Sequence, residues 1–217
     1  MKGLLYKDCA LLIKSYKSNF LLVLCVYLGM AVFFHMDFLC YALVAVCGVY
    51  ASATLSLDDS SHWDAYARTL PVTPGQLIGC KYLLGFFITL LGGVCAVLGL
   101  LLSNSGTVVP EAAFGIATAA AIALLLFAVD TPLAYQFGAV RARSWVYVIA
   151  FVAVFIPMII LEQLPETLRT ALASPLQSLA NGIDAHPAVL LLPCIGALLL
   201  YLVSWAVCVQ IYQRKSC

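Results

Sequence analysis

Cysteine, histidine and the carboxylates are the side chains of this sequence with chemistry to offer, and their spacing is poor for it. Nine cysteines and three histidines could in principle build a metal centre or a disulfide frame. No CxxC pair occurs, however, and no histidine stands at a ligand-like interval from a cysteine. Cys25, Cys40, Cys47, Cys95, Cys194 and Cys208 fall in or beside apolar runs, and Cys9, Cys80 and Cys217 lie on the basic side of the chain. A thiol in such surroundings is a small hydrophobe suited to helix packing. Cys40 and Cys47, seven apart, share a helix face on that reading. His35, His62 and His186 are isolated in loops or at the ends of apolar runs, where a histidine is ordinarily just solvated. The motifs GxSxG and HExxH are missing, as is a P-loop of the GxxxxGKS or GxxxxGKT kind, so the chain has no ATP site of that type. No catalytic residue, metal site or cofactor is assigned, and the expectation is a protein that is not itself an enzyme. Asp130 is the one carboxylate close to an otherwise apolar stretch, and ionisable groups inside a membrane are functional suspects. It precedes Thr131-Pro132, which reads as the end of a span and argues against a proton relay.

The elements that must position these residues are made for lipid. Of 217 residues 64% are hydrophobic and 10% charged, and the mean hydropathy is +1.05. A soluble domain carries about a quarter charged residues, so too little polar surface exists here to cover a water-soluble globule. Runs free of Asp, Glu, Lys and Arg, namely Ser18–Met36, Phe38–Leu57, Tyr82–Val109, Ala112–Val129, Ser144–Leu161 and one within Pro187–Gln213, mark six candidate spans, about 18–36, 38–57, 79–103, 111–130, 144–162 and 188–210. Each is near the roughly 20 residues that a helix needs to cross about 30 Å of hydrocarbon. Continuous rather than alternating hydrophobicity selects helices over a barrel. The expected fold class is an all-α integral membrane protein of six spans in one domain, 1–217. The first span is not read as a cleaved signal, because "FFHMDF" follows it where small residues would be needed.

Charge placement orients the bundle. With the N-terminus inside, ten of eleven Lys and Arg fall on the cytoplasmic side and only Arg169 falls outside. Asp37, Glu111, Glu162, Glu166 and Asp184 fall on the outer side. Both termini are therefore expected in the cytoplasm, with the chain crossing the cell membrane several times, and a bacterial plasma membrane is the expected location.

Residues 1–17, "MKGLLYKDCALLIKSYK", put Lys7, Lys14 and Lys17 on one helical face with Gly3 and Ala10. Leu5, Cys9, Leu12 and Tyr16 form the opposite stripe. That pattern suits a helix lying in the membrane interface with its lysines toward anionic lipid headgroups. A lysine cluster that merely sets topology is the plainer alternative.

Residues 58–78 are the unusual segment, a loop crowded with helix signals. Ser61 with Asp64 three residues later makes a capping box, giving a short helix over about Ser61–Thr69. Pro71 ends it, because the residue before a proline is pushed out of the helical region. Thr73 caps the next helix, with Pro74 at its first position and Gln76 at its third. On the short helix Trp63, Ala67 and Leu70 share one face, and Asp59, His62 and Tyr66 another. Aromatics beside an arginine are typical contact anchors; a Trp-Tyr belt at the membrane interface is the bland alternative.

At these residues a resemblance enters. The run "DDSSHWDAYARTLPVTPGQLIGCKYLLG", 58–85, resembles the first cytoplasmic loop of the ABC-2 type permeases, in particular their short six-span subfamily. The matching pieces are Trp63-Asp64-Ala65-Tyr66, Leu70-Pro71-Val72 and Lys81-Tyr82. "PLAYQFGAVRARSW", Pro132 to Trp145, is similar to that subfamily's Pro-Leu-x-x-x-Phe-Gly motif followed by a basic pair, here Arg141 and Arg143. Gln136 departs from it, since a lysine is common there. The opening "MKGLLYKD" is similar as well. The layout covers nearly the whole chain and the specific motifs about fifty residues.

The resemblance implies an N-terminal elbow helix, six spans, a coupling helix in the first cytoplasmic loop and a partly inserted outer segment, here 163–187. It implies two permease subunits, alike or related, above separately encoded ABC ATPase subunits, and usually export. Asp59, His62, Trp63, Asp64, Tyr66 and Arg68 are then the expected ATPase contacts, Pro71 and Pro74 the stiff link to the third span, and Arg141 and Arg143 the second cytoplasmic loop. Membrane lipid is the other expected partner, and nothing points to nucleic acid. The charge-poor bundle favours a hydrophobic or amphipathic cargo such as a peptide, lipid or drug. Two other classes remain open: the substrate-capturing membrane component of a vitamin importer, and a non-transporting anchor or immunity subunit of an ABC complex.

Overall fold

The computed structural model describes residues 2–61, 63–67, 69, 71–103, 110–163 and 192–216. A long apolar run in lipid has no hydrogen-bond partner for its backbone except itself, and each such run here is accordingly a helix. They are α1 (Lys2–Phe34), α2 (Asp37–Ser60), α3 (Trp63–Ala67), α4 (Pro74–Ser103), α5 (Pro110–Phe137), α6 (Ala139–Gln163) and α7 (Leu192–Ser216). Among the described residues there is no strand. Five helices, α1, α2, α4, α5 and α7, are long and apolar enough to cross a bilayer. The expected 144–162 span lies inside α6, which has 25 residues.

One expectation changes. The N-terminal helix is not a separate element: α1 runs unbroken for 33 residues, about 50 Å at 1.5 Å per residue. No breaker separates "SYKSNF", and helix propagation is favourable once a turn exists. The helix leading into the third span starts at Thr73-Pro74, as its sequence signals require, and continues without a break as α4. The outer segment, 163–187, falls outside the described residues beyond Gln163.

Two of the described connections are short turns of defined geometry. His35 has φ +53° and is the left-handed residue that closes α1, with the Met36 N–H donating to Ala31 O at 3.3 Å. Its ring is not free: Nδ1 lies 3.0 Å from Ser103 O, an end carbonyl of α4. Gly138, at φ +88°, ends α5 in the same way, and its N–H donates to Ala134 O at 2.9 Å.

The bundle packs in two apolar zones. In one, α2 and α4 meet through small residues. A Cβ on Gly92 would lie 2.8 Å from Cβ and Sγ of Cys47, so only glycine permits this approach. Cys40, Val44, Ala96, Leu100 and Ile116 continue that zone, with Ala31 of α1. Cys40 and Cys47 thus pack between helices, as their spacing suggests. In the other zone Tyr82, Phe127 and Tyr201 join α4, α5 and α7, with Tyr82 and Tyr201 centroids 4.8 Å apart. Gly85 makes room for them, since a Cβ there would lie 2.9 Å from Tyr201 Oη.

Pro132 does not end α5. It sits inside the helix, and having no N–H it leaves Ala128 O, four residues back, without its usual donor. Ser204 of α7 supplies the replacement by hydrogen-bonding Ala128 O, while its hydroxyl also meets Tyr82 Oη at 2.8 Å. α5 therefore continues to Phe137, and Asp130 lies within a helix and 6% exposed, not at a span's end. A proline is read from sequence as a stop; a hydroxyl on a neighbouring helix allowed this one to be passed.

Candidate functional site

One end of the bundle gathers the start of α1, the end of α2, α3, the start of α4 and the start of α6. Its centre is a charge quartet. Lys7 Nζ lies 2.8 Å from Asp58 Oδ1 and 3.1 Å from Asp8 Oδ1. Lys81 Nζ lies 2.9 Å from Asp8 Oδ1 and also contacts Asp58 Oδ2. The side chains of Asp8 and Lys81 are each 3% exposed, that of Asp58 11%. Two cations against two anions sum to zero, the condition under which charge can be buried at all. Each carboxylate is held by both lysines, so the quartet ties α1, α2 and α4 into one joint.

The quartet holds α3 as well. Lys7 Nζ sits 3.7 Å above the Trp63 ring, a cation–π contact. Trp63 and Ala67, four apart, form the inner face of this single turn; Ala67 is 3% exposed and belongs to the apolar core. Tyr66 is turned outward, 57% exposed, with its ring 5.3 Å from that of Trp63. The face assignment read from the sequence, Trp63 with Ala67 and Tyr66 apart from them, matches this geometry. The described extent of α3 is Trp63–Ala67, with His62 and Arg68 on either side outside the described residues. Ser61 closes α2, its hydroxyl donating to Leu57 O at 2.8 Å. A serine at the joint of two helices can serve either end, and the carbonyls of α2 were within reach. The Thr69 N–H donates to Tyr66 O at 3.0 Å and closes the turn.

α4 starts as its sequence signals require. Thr73 O accepts from Gln76 N–H at 3.0 Å and Leu77 N–H at 3.2 Å, and the Thr73 N–H reaches back to Gln76 Oε1 at 3.4 Å. Pro71 is exposed and Pro74 occupies the first helical position.

The second loop is fastened to the same end. Asp59 Oδ2 accepts from the Ala139 N–H at 3.0 Å. A carboxylate at a helix N-terminus satisfies an orphan N–H and meets the positive end of the dipole. Asp59 therefore caps α6 from α2. Arg143 donates to Ser56 Oγ at 2.8 Å, a second tie between α6 and α2. Arg141 is exposed.

Of the expected contact residues, the structure thus brings Trp63, Asp59 and Arg143 into internal joints and leaves Tyr66 and Arg141 outward. The Asp64 side chain, His62 and Arg68 lie outside what is described. Lys7 is turned inward rather than toward headgroups, whereas Lys14 and Lys17 are exposed. The quartet itself went unread in the sequence. Its signal was two lysines and two aspartates, Lys7 and Lys81 with Asp8 and Asp58, standing within a turn or two of apolar runs. Among the described residues no group of His, Cys, Asp or Glu is arranged to hold a metal ion.

A family model described as "ABC-2 family transporter protein" matches residues 3–213. No curated protein and no solved structure matches the chain.

Proposed function

The chain belongs to the ABC-2 transporter family, and we propose that it is the permease subunit of an exporter driven by a separately encoded ABC ATPase. It is a multi-pass membrane protein by its apolar helices and its family. The charged end faces the cytoplasm on this reading, as the placement of Lys and Arg requires.

One observation carries the proposal: α3 is a projecting turn whose inner face is bound to the bundle and whose outer face offers Tyr66. An ATPase that pushes on α3 pushes Lys7 through Trp63, and through the quartet moves α1, α2 and α4 together. Asp59 extends the same linkage to α6. That is the mechanical need of a permease that alternates between two packings when its ATPases close. Pro71 and Pro74 stiffen the link between α3 and α4. A second permease subunit, this chain or a relative, completes the path, since one bundle of this size does not enclose a bulky amphiphile.

The test is capture. The full chain, tagged and solubilised, should retain an ATPase that has a P-loop and no spans, encoded in a neighbouring reading frame, and the pair in vesicles should move an amphipathic cargo outward. Absence of a stable complex, or uptake of a hydrophilic vitamin, contradicts the proposal.

A further inference from the structure

The geometry points to a small binding site for an ammonium group with an oxygen beside it, built from Asp130 and Arg143 between α2, α5 and α6. It deepens the exporter reading by naming the polar end of an amphipathic cargo, and it rests on that reading for its role in transport.

A cavity of about 80 Å³ opens between these three helices. A water needs roughly 10–15 Å³ of such volume, so several waters or one small polar head fit. Its walls are mostly apolar, with Val49, Leu126 and Val146 among them, and Asp130, Ser52, Arg143 and Tyr147 bring its polar groups. Asp130 is 6% exposed, and its Oδ1 has no hydrogen-bond partner. Ser52 is a hydrogen-bonding neighbour of the same carboxyl. A buried carboxylate oxygen left without a donor costs free energy, and within a membrane such a group marks a functional site.

Arg143 lines the same cavity but does not pair with Asp130; its NH2 group is held by Ser56 at 2.8 Å. Opposite charges sharing a cavity without closing on each other leave a gap for a group that donates to one and accepts from the other. A simple alkyl cation would meet the guanidinium unfavourably, and a simple anion the carboxylate. A head carrying an ammonium next to a carbonyl or phosphate oxygen satisfies both. The apolar walls then take the adjoining chain.

Among the described charged side chains at this end, Arg141 is exposed, Asp59 accepts from Ala139, and Lys7, Asp8, Asp58 and Lys81 are paired in the quartet. The site is therefore separate from the joint that holds α3.

Two sources share this head chemistry, an N-terminal peptide and an ethanolamine phospholipid. The test uses the purified full chain in detergent, without ATPase. Its probes are glycine dodecylamide and lysophosphatidylethanolamine, with N-acetylglycine dodecylamide and lysophosphatidylcholine as partners that lack the ammonium donors. Saturable binding should appear for at least one ammonium probe and be about tenfold or more weaker for its blocked partner, since truncating one side of a buried charge pair mainly raises dissociation. Asp130→Asn should weaken the ammonium probe by a similar factor. Val49→Phe, which fills the cavity and leaves the carboxyl in place, should do so too, while both variants retain the wild-type helical circular dichroism and elution volume. Tighter binding of the glycine amide assigns a peptide-like head, and of the lysolipid a phospholipid one. Equal binding of ammonium and blocked probes, or wild-type affinity in both variants, overturns the site. Capture of an ATPase by Asp130→Asn is scored separately, so this site can fail while the exporter reading stands, and the reverse.

Discussion

The two ends of the bundle are assembled by different forces. At the apolar end α1, α2, α4 and α5 meet through glycine, alanine and cysteine, at distances that exclude a Cβ: Gly92 on Cys47, Gly99 on Leu28, Gly115 on Tyr41. Contacts of that kind are short-ranged and non-directional, so helices can slide or tilt against one another until they clash. At the charged end the same helices are joined by named atoms: two lysines on two aspartates, a ring under an ammonium, a carboxylate on a helix N-terminus. Such bonds fix orientation as well as distance. On the exporter proposal, the charged end is the rigid joint where force would enter, and the close-packed region beyond it is the part that would change shape.

The largest effect should come from breaking the quartet. Lys81→Met leaves Asp8 and Asp58 with Lys7 alone, and removal of one partner from a buried ion cluster costs about 3–5 kcal/mol. Thermal unfolding of the detergent-solubilised chain should show it. Combining Lys81→Met with Asp8→Asn restores charge balance and should recover part of the loss, a coupling of about 0.5–3 kcal/mol for contacting groups. Simple additivity of the two changes would mean the four charges do not act as a unit.

Gly92→Val probes the other end. It forces a side chain into the Cys47 contact and should cost about 1–3 kcal/mol by overpacking. The contrast is in what else changes: ATPase capture should remain at the wild-type level, because the charged end is untouched. Loss of capture at constant fold would erase the division between the two ends.

Asp59→Ala should cost less, about 0.5–2 kcal/mol, the usual worth of a helix cap. Hydrogen exchange should rise in the first turn of α6, near Ala139–Ala142, and Asp59→Asn, which keeps an acceptor oxygen, should retain most of the protection. Faster exchange in α3 instead of α6 would contradict the cap.

Much of this was legible in the sequence because it depends on local signals. Hydrophobic runs gave the helices, Thr73-Pro74 gave the start of α4, and the i, i+4 spacing of Trp63 and Ala67 gave the inner face of α3. What stayed hidden depends on partners far along the chain. Lys81 and Asp8 are separated by 73 residues and Ser204 and Ala128 by 76; no spacing rule connects them. Pro132 was read as a stop because the serine that takes up the freed carbonyl is on another helix. The cap that Asp59 makes was not legible because its partner, Ala139, starts another helix 80 residues on. The loop motifs that carried the family resemblance therefore have internal duties: Lys81 in the quartet, Tyr82 in the aromatic cluster, Gly138 in the turn and Trp63 under Lys7.

Among the described side chains of α3, Tyr66 is the one turned outward, and the central claim rests on it. Trp63→Ala and Tyr66→Ala should be compared singly, each for unfolding midpoint and for retention of the ATPase in a pull-down. Trp63→Ala should lower both, since its ring fastens α3 to Lys7. Tyr66→Ala should leave stability within about 0.5 kcal/mol, as exposed substitutions do. It should nonetheless weaken ATPase capture by about tenfold or more, the loss of an aromatic anchor at an interface. A Tyr66→Ala chain that retains its ATPase at wild-type yield would contradict α3 as the coupling element.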